Sequence, residues 1–178
     1  MKEQPSLPAS RLVFLDECAI STALNHRYGR AKRGERVVLH APTYGTRRTL
    51  VGAIALDGRR AMTTLERGLR TETYLDFVRT CLVPMLRQGD IVIMDNLRIH
   101  HNADAVALIE QAGATVLFQP PYSPEFNAIE FCWSWLKHDL RRAAHRRIEA
   151  LLATVEKRWS QLTADLCTSW ARGCGYAV

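Results

Sequence analysis

Asp16 closes the apolar run "RLVFLDE", Asp95 closes "GDIVIMD", and Glu130 follows a proline-rich stretch in "QPPYSPEFNAIE". Acids at the ends of two buried runs are costly. Two anions a few Å apart repel, and between low-dielectric walls such a pair takes up a proton unless a cation lies between them. Hard oxygen donors with no accompanying cysteine favour Mg²⁺ or Mn²⁺ over zinc. Between Asp95 and Glu130 lie 34 residues. That length holds one helix, one strand and one rigid loop, enough for the chain to leave and return with Glu130 beside the aspartates. Three carboxylates so arranged suit two divalent ions that activate an attacking oxygen and stabilise a leaving one on a phosphodiester.

Each acid also has a purely structural reading. Asp16-Glu17 fits a polar turn that ends a strand, and Asp95-Asn96 fits a turn whose side chains bond the backbone. Asn127-x-x-Glu130 matches a capping box, in which the Glu would reach back to the cap N–H. His100 and His101 are adjacent, so on a helix they would point about 100° apart. His101 then reads as an ordinary residue at a helix start. His100 is left as a candidate contact for a phosphate, and Asn96 as a candidate for orienting Asp95.

The elements that must position these residues read as α/β. Strands are expected at 11–17, 36–40 and 49–56, with Asp57-Gly58 in a tight turn that tolerates positive φ. An amphipathic helix follows, with Thr71 as its cap and Leu75, Val78, Leu82 and Met85 on one face, until Pro84 ends or bends it. Residues 89–95 show no polar alternation, as befits a central strand covered on both faces. A helix from Asn102 to Gly113 and a strand at 114–118 come next. From Asn127 a long helix carries a buried stripe of Ile129, Trp133, Leu136 and Leu140, and two more helices follow. Strands one, four and five can lie parallel through right-handed crossovers, and their carboxyl ends form the usable crevice of such a sheet.

Composition narrows the partners. Residues 1–10 are polar and expected to be disordered, and 11–178 read as one domain. No stretch approaches the roughly 20 apolar residues of a membrane span, and the N-terminus lacks a signal-peptide core, so a soluble intracellular protein is expected. The five cysteines form no C-x-x-C pair, which excludes a zinc ribbon or a thiol redox motif. The net charge of +6 is clumped in "RYGRAKRGER" and "RRAAHRR", which favours a polyanionic partner. Candidate phosphate contacts are Arg27, Arg30, Lys32 and Arg33 in the first loop, and Lys137, Arg141 and Arg142 beyond Glu130. Lys137 shares a helix face with Glu130. Tyr28 and Trp135 are candidates for stacking on a base.

The motifs "FLDECAI", "GDIVIMDNLRIHH", "PPYSPEFNAIEFCWSWLK" and the closing "CGY" resemble the catalytic domain of bacterial insertion-sequence 630 family transposases, relatives of the mariner group. The resemblance runs from about Leu12 through nearly the whole chain. It implies a ribonuclease H-like fold with a central mixed five-stranded sheet flanked by helices. It also implies a DDE triad, here Asp16, Asp95 and Glu130, that binds two Mg²⁺ ions, with Mn²⁺ as a substitute. The implied activity is hydrolysis at transposon ends followed by strand transfer into target DNA, in a bacterial cytoplasm and at its nucleoid. A homodimer on paired ends is implied as well. The chain departs from the pattern in reading "NAIE" where the family usually has Asn-Pro-Ile-Glu, and in bulkier residues at Arg98, Ile99 and His101. The stretch before Leu12 is too short for the helix-turn-helix region such transposases carry, so that region is expected to be needed from elsewhere. One frame of a split element, an inactive remnant that only binds DNA, and another ribonuclease H-like nuclease or resolvase remain as alternatives. Neutralising Arg30, Lys32 and Arg33 together is expected to weaken DNA binding for all sequences alike and to flatten its salt dependence, read as the slope of log K against log salt. An unchanged slope would remove the loop from the interface.

Overall fold

The computed structural model describes every residue except 1–6, 27, 39, 41 and 122. Five strands, β1 (Leu12–Ser21), β2 (Arg47–Ala55), β3 (Arg60–Leu65), β4 (Ile91–Met94) and β5 (Thr115–Phe118), form one mixed sheet in the order β3-β2-β1-β4-β5. β1 pairs antiparallel with β2 and parallel with β4, and β5 is parallel to β4. Helices α1 (Thr71–Phe77) and α2 (Ala103–Gln111) cover one face, and α3 (Ile129–Ala143), α4 (Ile148–Ser160) and α5 (Ala164–Gly173) cover the other. Alternation along β1 divides the core. Val13 and Leu15 join the α1/α2 side, whereas Phe14, Cys18 and Ile20 join the α3/α4/α5 side. The expected stripe on α3 is present, with Ile129, Trp133, Leu136 and Leu140 all buried.

Several expectations need correction. Residues 36–38 and 40 form no strand, and Val38 is 72% exposed. The third early strand is instead β3, because the turn at Asp57-Gly58 (Gly58 φ +86°) closes a local hairpin onto the free edge of β2. β1 runs on past 17 to Ser21, so Asp16 lies within a strand and Asp16-Glu17 is no turn. The helix after Arg70 is initiated by Thr73, whose hydroxyl accepts the Arg70 N–H at 3.0 Å, and Thr71 is its first residue rather than its cap. It widens into a π turn at Val78–Leu82 ahead of Pro84, whose ring cannot continue an α-helix; of the expected face, Val78 and Leu82 are fully buried and Leu75 and Met85 partly so, and Tyr74 and Phe77 join them. Of the segment expected to be disordered, residues 1–6 lie outside the described residues. Leu7 and Ala9 pack against the core, and Ala9–Arg11 form a 3₁₀ turn.

Two fastenings stabilise this frame. At the amino end of β4, Asp90 is 1% exposed and accepts from Arg59 at 2.7 Å; Arg59 also donates to the Met85 carbonyl at 2.6 Å. The hairpin turn is thereby held against the base of the sheet. Between β1 and β2, the projecting segment 22–46 is closed at its neck by Thr22 N–H to Thr46 O (3.1 Å) and by Thr46 N–H to the Thr22 hydroxyl (3.0 Å). Arg146 donates to the carbonyls of Thr22 and Leu24 from below.

Asp16 faces Gly52 across the β1/β2 pair, and a Cβ at Gly52 would stand 2.7 Å from the Trp133 ring. Gly52→Val is therefore expected to destabilise the fold by about 1–3 kcal/mol, as overpacking does. Urea denaturation measures this, and unchanged stability would mean the indole is not seated against β2.

Candidate active site

The β1/β4 register sets the first two acids. Phe14 is level with Ile93, and the same register carried two residues further brings Asp16 level with Asp95. β4 ends at Met94, so beyond it β1 loses its parallel neighbour and the sheet opens into a cleft. Asp16 lies on the α3 side by alternation. The Trp133 indole N–H donates to Asp16 Oδ2 at 3.2 Å. Burial, then the charges of Glu17 and Glu130, push the Asp16 carboxyl up to about 8.

Asp95 is held differently. Its Oδ1 accepts the Leu97 N–H at 3.0 Å and stands 2.6 Å from His100 Nδ1, which leaves Oδ2 without a partner among the described residues. His100 is fully buried and packs against the Tyr74 ring. Its other nitrogen lies 3.4 Å from Glu17 Oε2. Burial alone would lower the imidazole pKa, but the hydrogen bond to Asp95 and the charges of Glu17 and Asp95 outweigh it and raise it to about 9. Burial likewise acts to raise the Asp95 pKa and is outweighed by His100 and the Leu97 N–H, which bring it below the usual carboxylate range.

Glu130 comes from the first turn of α3. The capping-box reading fails: Ala128 stands at the cap position with αR geometry and makes no side-chain cap bond, and Asn127 turns inward instead. Asn127 is 2% exposed and its amide donates to the Leu15 carbonyl at 3.1 Å, beside Asp16. Glu130 is thus left exposed at the rim, its pKa raised by burial and by Asp95 and Glu17 against the opposing charge of Lys137.

Asp16, Asp95 and Glu130 line one cleft of about 410 Å³, together with Asn96, Gln119 and Asn127 and walled by Pro120, Pro121 and Pro124. Among the described residues, no three His, Cys, Asp or Glu side chains converge closely enough to form a ligand shell for a single ion. The donor set nonetheless fits Mg²⁺ or Mn²⁺. Mg²⁺ keeps several waters and is typically held by one or two carboxylates plus substrate phosphates. Burial first, and then the charges of neighbouring carboxylates, raise Asp16 and Glu130, a cost that a cation would relieve.

The supporting residues differ from expectation. Asn96 does not orient Asp95; it donates to the Gln119 carbonyl, and its Oδ1 stands 3.0 Å from His101 Nε2. His101 stacks on Phe118 with centroids 3.9 Å apart, so it is a packing residue beside Asn96. The burial of His100 rules out direct contact with a phosphate. Glu17 and Trp133 were missed. Period two along β1 turns Glu17 to the face opposite Asp16, and Trp133 sits three residues after Glu130 on the same helix face. Both spacings are visible in the sequence, but their partners are not. Arg30, Lys32 and Arg33 are exposed on the projecting segment and do not line the cleft. Arg27 lies outside the described residues. Lys137 is half-buried beside Glu130 and Cys18. Arg141 lines a second groove of about 440 Å³ with Tyr44 and Arg47 at the neck of that segment.

The family model described as DDE superfamily endonuclease matches residues 11–152, and the chain belongs to that family. Among solved structures, the chain is similar to the Mos1 transposase paired-end complex with left transposon end, at TM-score 0.73 and 16% identity over 94% of this chain and 52% of that one. It is also similar to the catalytic domain of Mos1 mariner transposase, at TM-score 0.63 and 15% identity over 94% of this chain and 76% of that one. A further match is the Mos1 mariner paired-end complex with Mg, at TM-score 0.68 and 13% identity over 94% and 54%. At these identities the likeness establishes the fold, which is ribonuclease H-like. The chain spans about half the length of the transposase in the paired-end complexes. A search of curated proteins finds no match. No helix among the described residues is long and apolar enough to cross a membrane.

The raised groups give a signed pH dependence. Asp16 favours the folded state most when neutral, a contribution complete below 3.8 and lost as pH rises through about 8. His100 contributes when charged, fully below 6.5, and that contribution is lost as pH rises through about 9. The metal-free protein is therefore expected to melt at progressively lower temperature from about pH 5 to about pH 9, and added Mg²⁺ to restore more at the upper end than the lower. A melting temperature that climbs with pH in the absence of metal would contradict the assignment.

Proposed function

We propose that this chain is the catalytic domain of a DNA transposase of the insertion-sequence 630 type, cutting phosphodiesters at transposon ends and joining them to target DNA. The observation that supports this reading is that Asp16, Asp95 and Glu130 all line one proline-walled cleft at the carboxyl end of β4. Asp16, Asp95 and Glu130 would hold two Mg²⁺ ions, or Mn²⁺ in their place. When bound, such ions lower the pKa of an attacking water and stabilise the departing 3′ oxygen. Similarity in fold to Mos1 complexes with Mg, with Mn and with a transposon end supports the metal and DNA parts of the reading.

The chain's own residues keep these donors in place. His100 holds one oxygen of Asp95, and Trp133 donates to one oxygen of Asp16. Pro120, Pro121 and Pro124 make a stiff wall that narrows the approach. Arg30, Lys32 and Arg33 on the projecting segment, with Lys137 and Arg141 on α3, would bind phosphates on either side of the cut. The partners are transposon-end and target DNA, with a homodimer on paired ends. End recognition falls to a helix-turn-helix region outside these residues, and the protein works in a bacterial cytoplasm at the nucleoid.

The test is nicking of supercoiled plasmid in Mg²⁺ or Mn²⁺ by the wild-type chain and by Asp95→Asn. The variant is expected to lose more than the roughly 100-fold that removal of a supporting partner costs at a metal site. Equal cutting by both would refute the triad, and absence of metal-dependent cutting by the wild type would favour a DNA-binding remnant.

A further inference from the structure

The closing "CGY" motif lies beyond residues 11–152, the span matched by the family model, and plays no part in the function proposed above. Its local chemistry is well defined. Helix α5 ends on buried Cys174, and Gly175 follows at φ +87°, a left-handed position that glycine adopts without steric cost. Gly175 N–H donates to Arg172 O at 3.0 Å and Tyr176 N–H to Ala171 O at 3.1 Å, the paired bonds of a Schellman cap. This cap folds the chain back and presses Tyr176 onto the core.

The ring and the hydroxyl of Tyr176 then reach two different parts of the site. The ring stands edge-on to Phe14, two residues before Asp16, with centroids 5.2 Å apart. The hydroxyl donates to the Phe126 carbonyl at 2.8 Å, four residues before Glu130. Phe126 ends the 3₁₀ turn Pro124–Phe126, whose own bonds, Phe126 N–H to Ser123 O and Asn127 N–H to Pro124 O, are internal to the loop. Prolines supply no N–H donors, so the loop gains little from its own backbone. It is tied to the rest of the fold by the Asn127 amide on Leu15 O and by Tyr176 on Phe126 O. Those two bonds flank the Phe126–Asn127 peptide immediately before α3.

We propose that Tyr176 is a positioning residue for the cleft: its hydroxyl, through the Phe126 carbonyl, fixes where the proline loop ends and so where Glu130 stands relative to Asp16. This rests on the reading of the cleft as a metal-dependent nuclease site. The tail therefore acts on the acids through the core on the α3/α4/α5 side of the sheet.

The test uses the 178-residue chain with Tyr176→Phe, which keeps the ring on Phe14 and removes only the hydroxyl. The melting temperature is expected to fall by no more than about 4 °C, the scale of one hydrogen bond. Amide exchange at residues 126–131 should speed up by about fivefold or more while α4 is unchanged, as in a local opening. The Mg²⁺ midpoint, followed by the NMR shift of the Trp133 indole N–H on Asp16, should rise about tenfold, the lower end of the range for a lost supporting partner. Plasmid nicking at saturating DNA should fall by a similar factor, with DNA affinity unchanged. Gly175→Ala keeps the hydroxyl but strains the cap that aims it, and should shift exchange and midpoint in the same direction. Unchanged exchange at 126–131 overturns the proposal, as does faster exchange with an unmoved Mg²⁺ midpoint, which would make the bond merely structural. Should the wild type cut no DNA, the proposed function falls, and exchange together with the Mg²⁺ midpoint still decides the role of Tyr176.

Discussion

The parallel pairing of β1 with β4 is the constraint on which the site depends. It is only three residue pairs long, yet carried two residues further it sets Asp16 level with Asp95 where the sheet opens into the cleft. A slip of one residue would turn every side chain of one strand to the other face. Both strands are buried by packing on two sides, so the register is specified by the core, and the placement of the acids is inherited from it.

The fold treats the acids near β4 in opposite ways. Asp90, one residue before β4, is sealed from water and matched by Arg59, a buried ion pair with its charge compensated. Asp95, one residue after it, meets a histidine that itself answers to a second carboxylate, Glu17. The cleft therefore keeps a surplus of negative charge, with Lys137 as a partial counterweight at its α3 side. Such a surplus suits an ion that arrives with its substrate better than a permanently filled cage.

Much of this was legible in the sequence, for identifiable reasons. The unbroken apolar run before Asp95 and the 34-residue interval to Glu130 reflect chain geometry, so both survive translation into three dimensions. The strand expected at 36–40 failed because the adjacent β-branched pair Val37-Val38 reports affinity for a sheet and not the presence of a free edge; the nearby hairpin had already taken that edge. The capping box at Asn127 failed because a local motif lost to a distant partner, the Leu15 carbonyl, which is invisible without the fold. Glu17, Trp133 and Tyr176 belong to the same class: each has its meaning in a contact from another part of the chain.

The neck of the projecting segment has its own consequence. Thr22 and Thr46 close it with two hydrogen bonds, and Arg146 braces it from the α3/α4 junction, so the β1/β2 ladder ends cleanly below it. The strand pairs that place Asp16 end at Ser21 and Arg47, below the neck. The basic residues Arg30, Lys32 and Arg33 therefore sit outside the pairs that align Asp16, and changing their charge by hand leaves every one of those pairs in place.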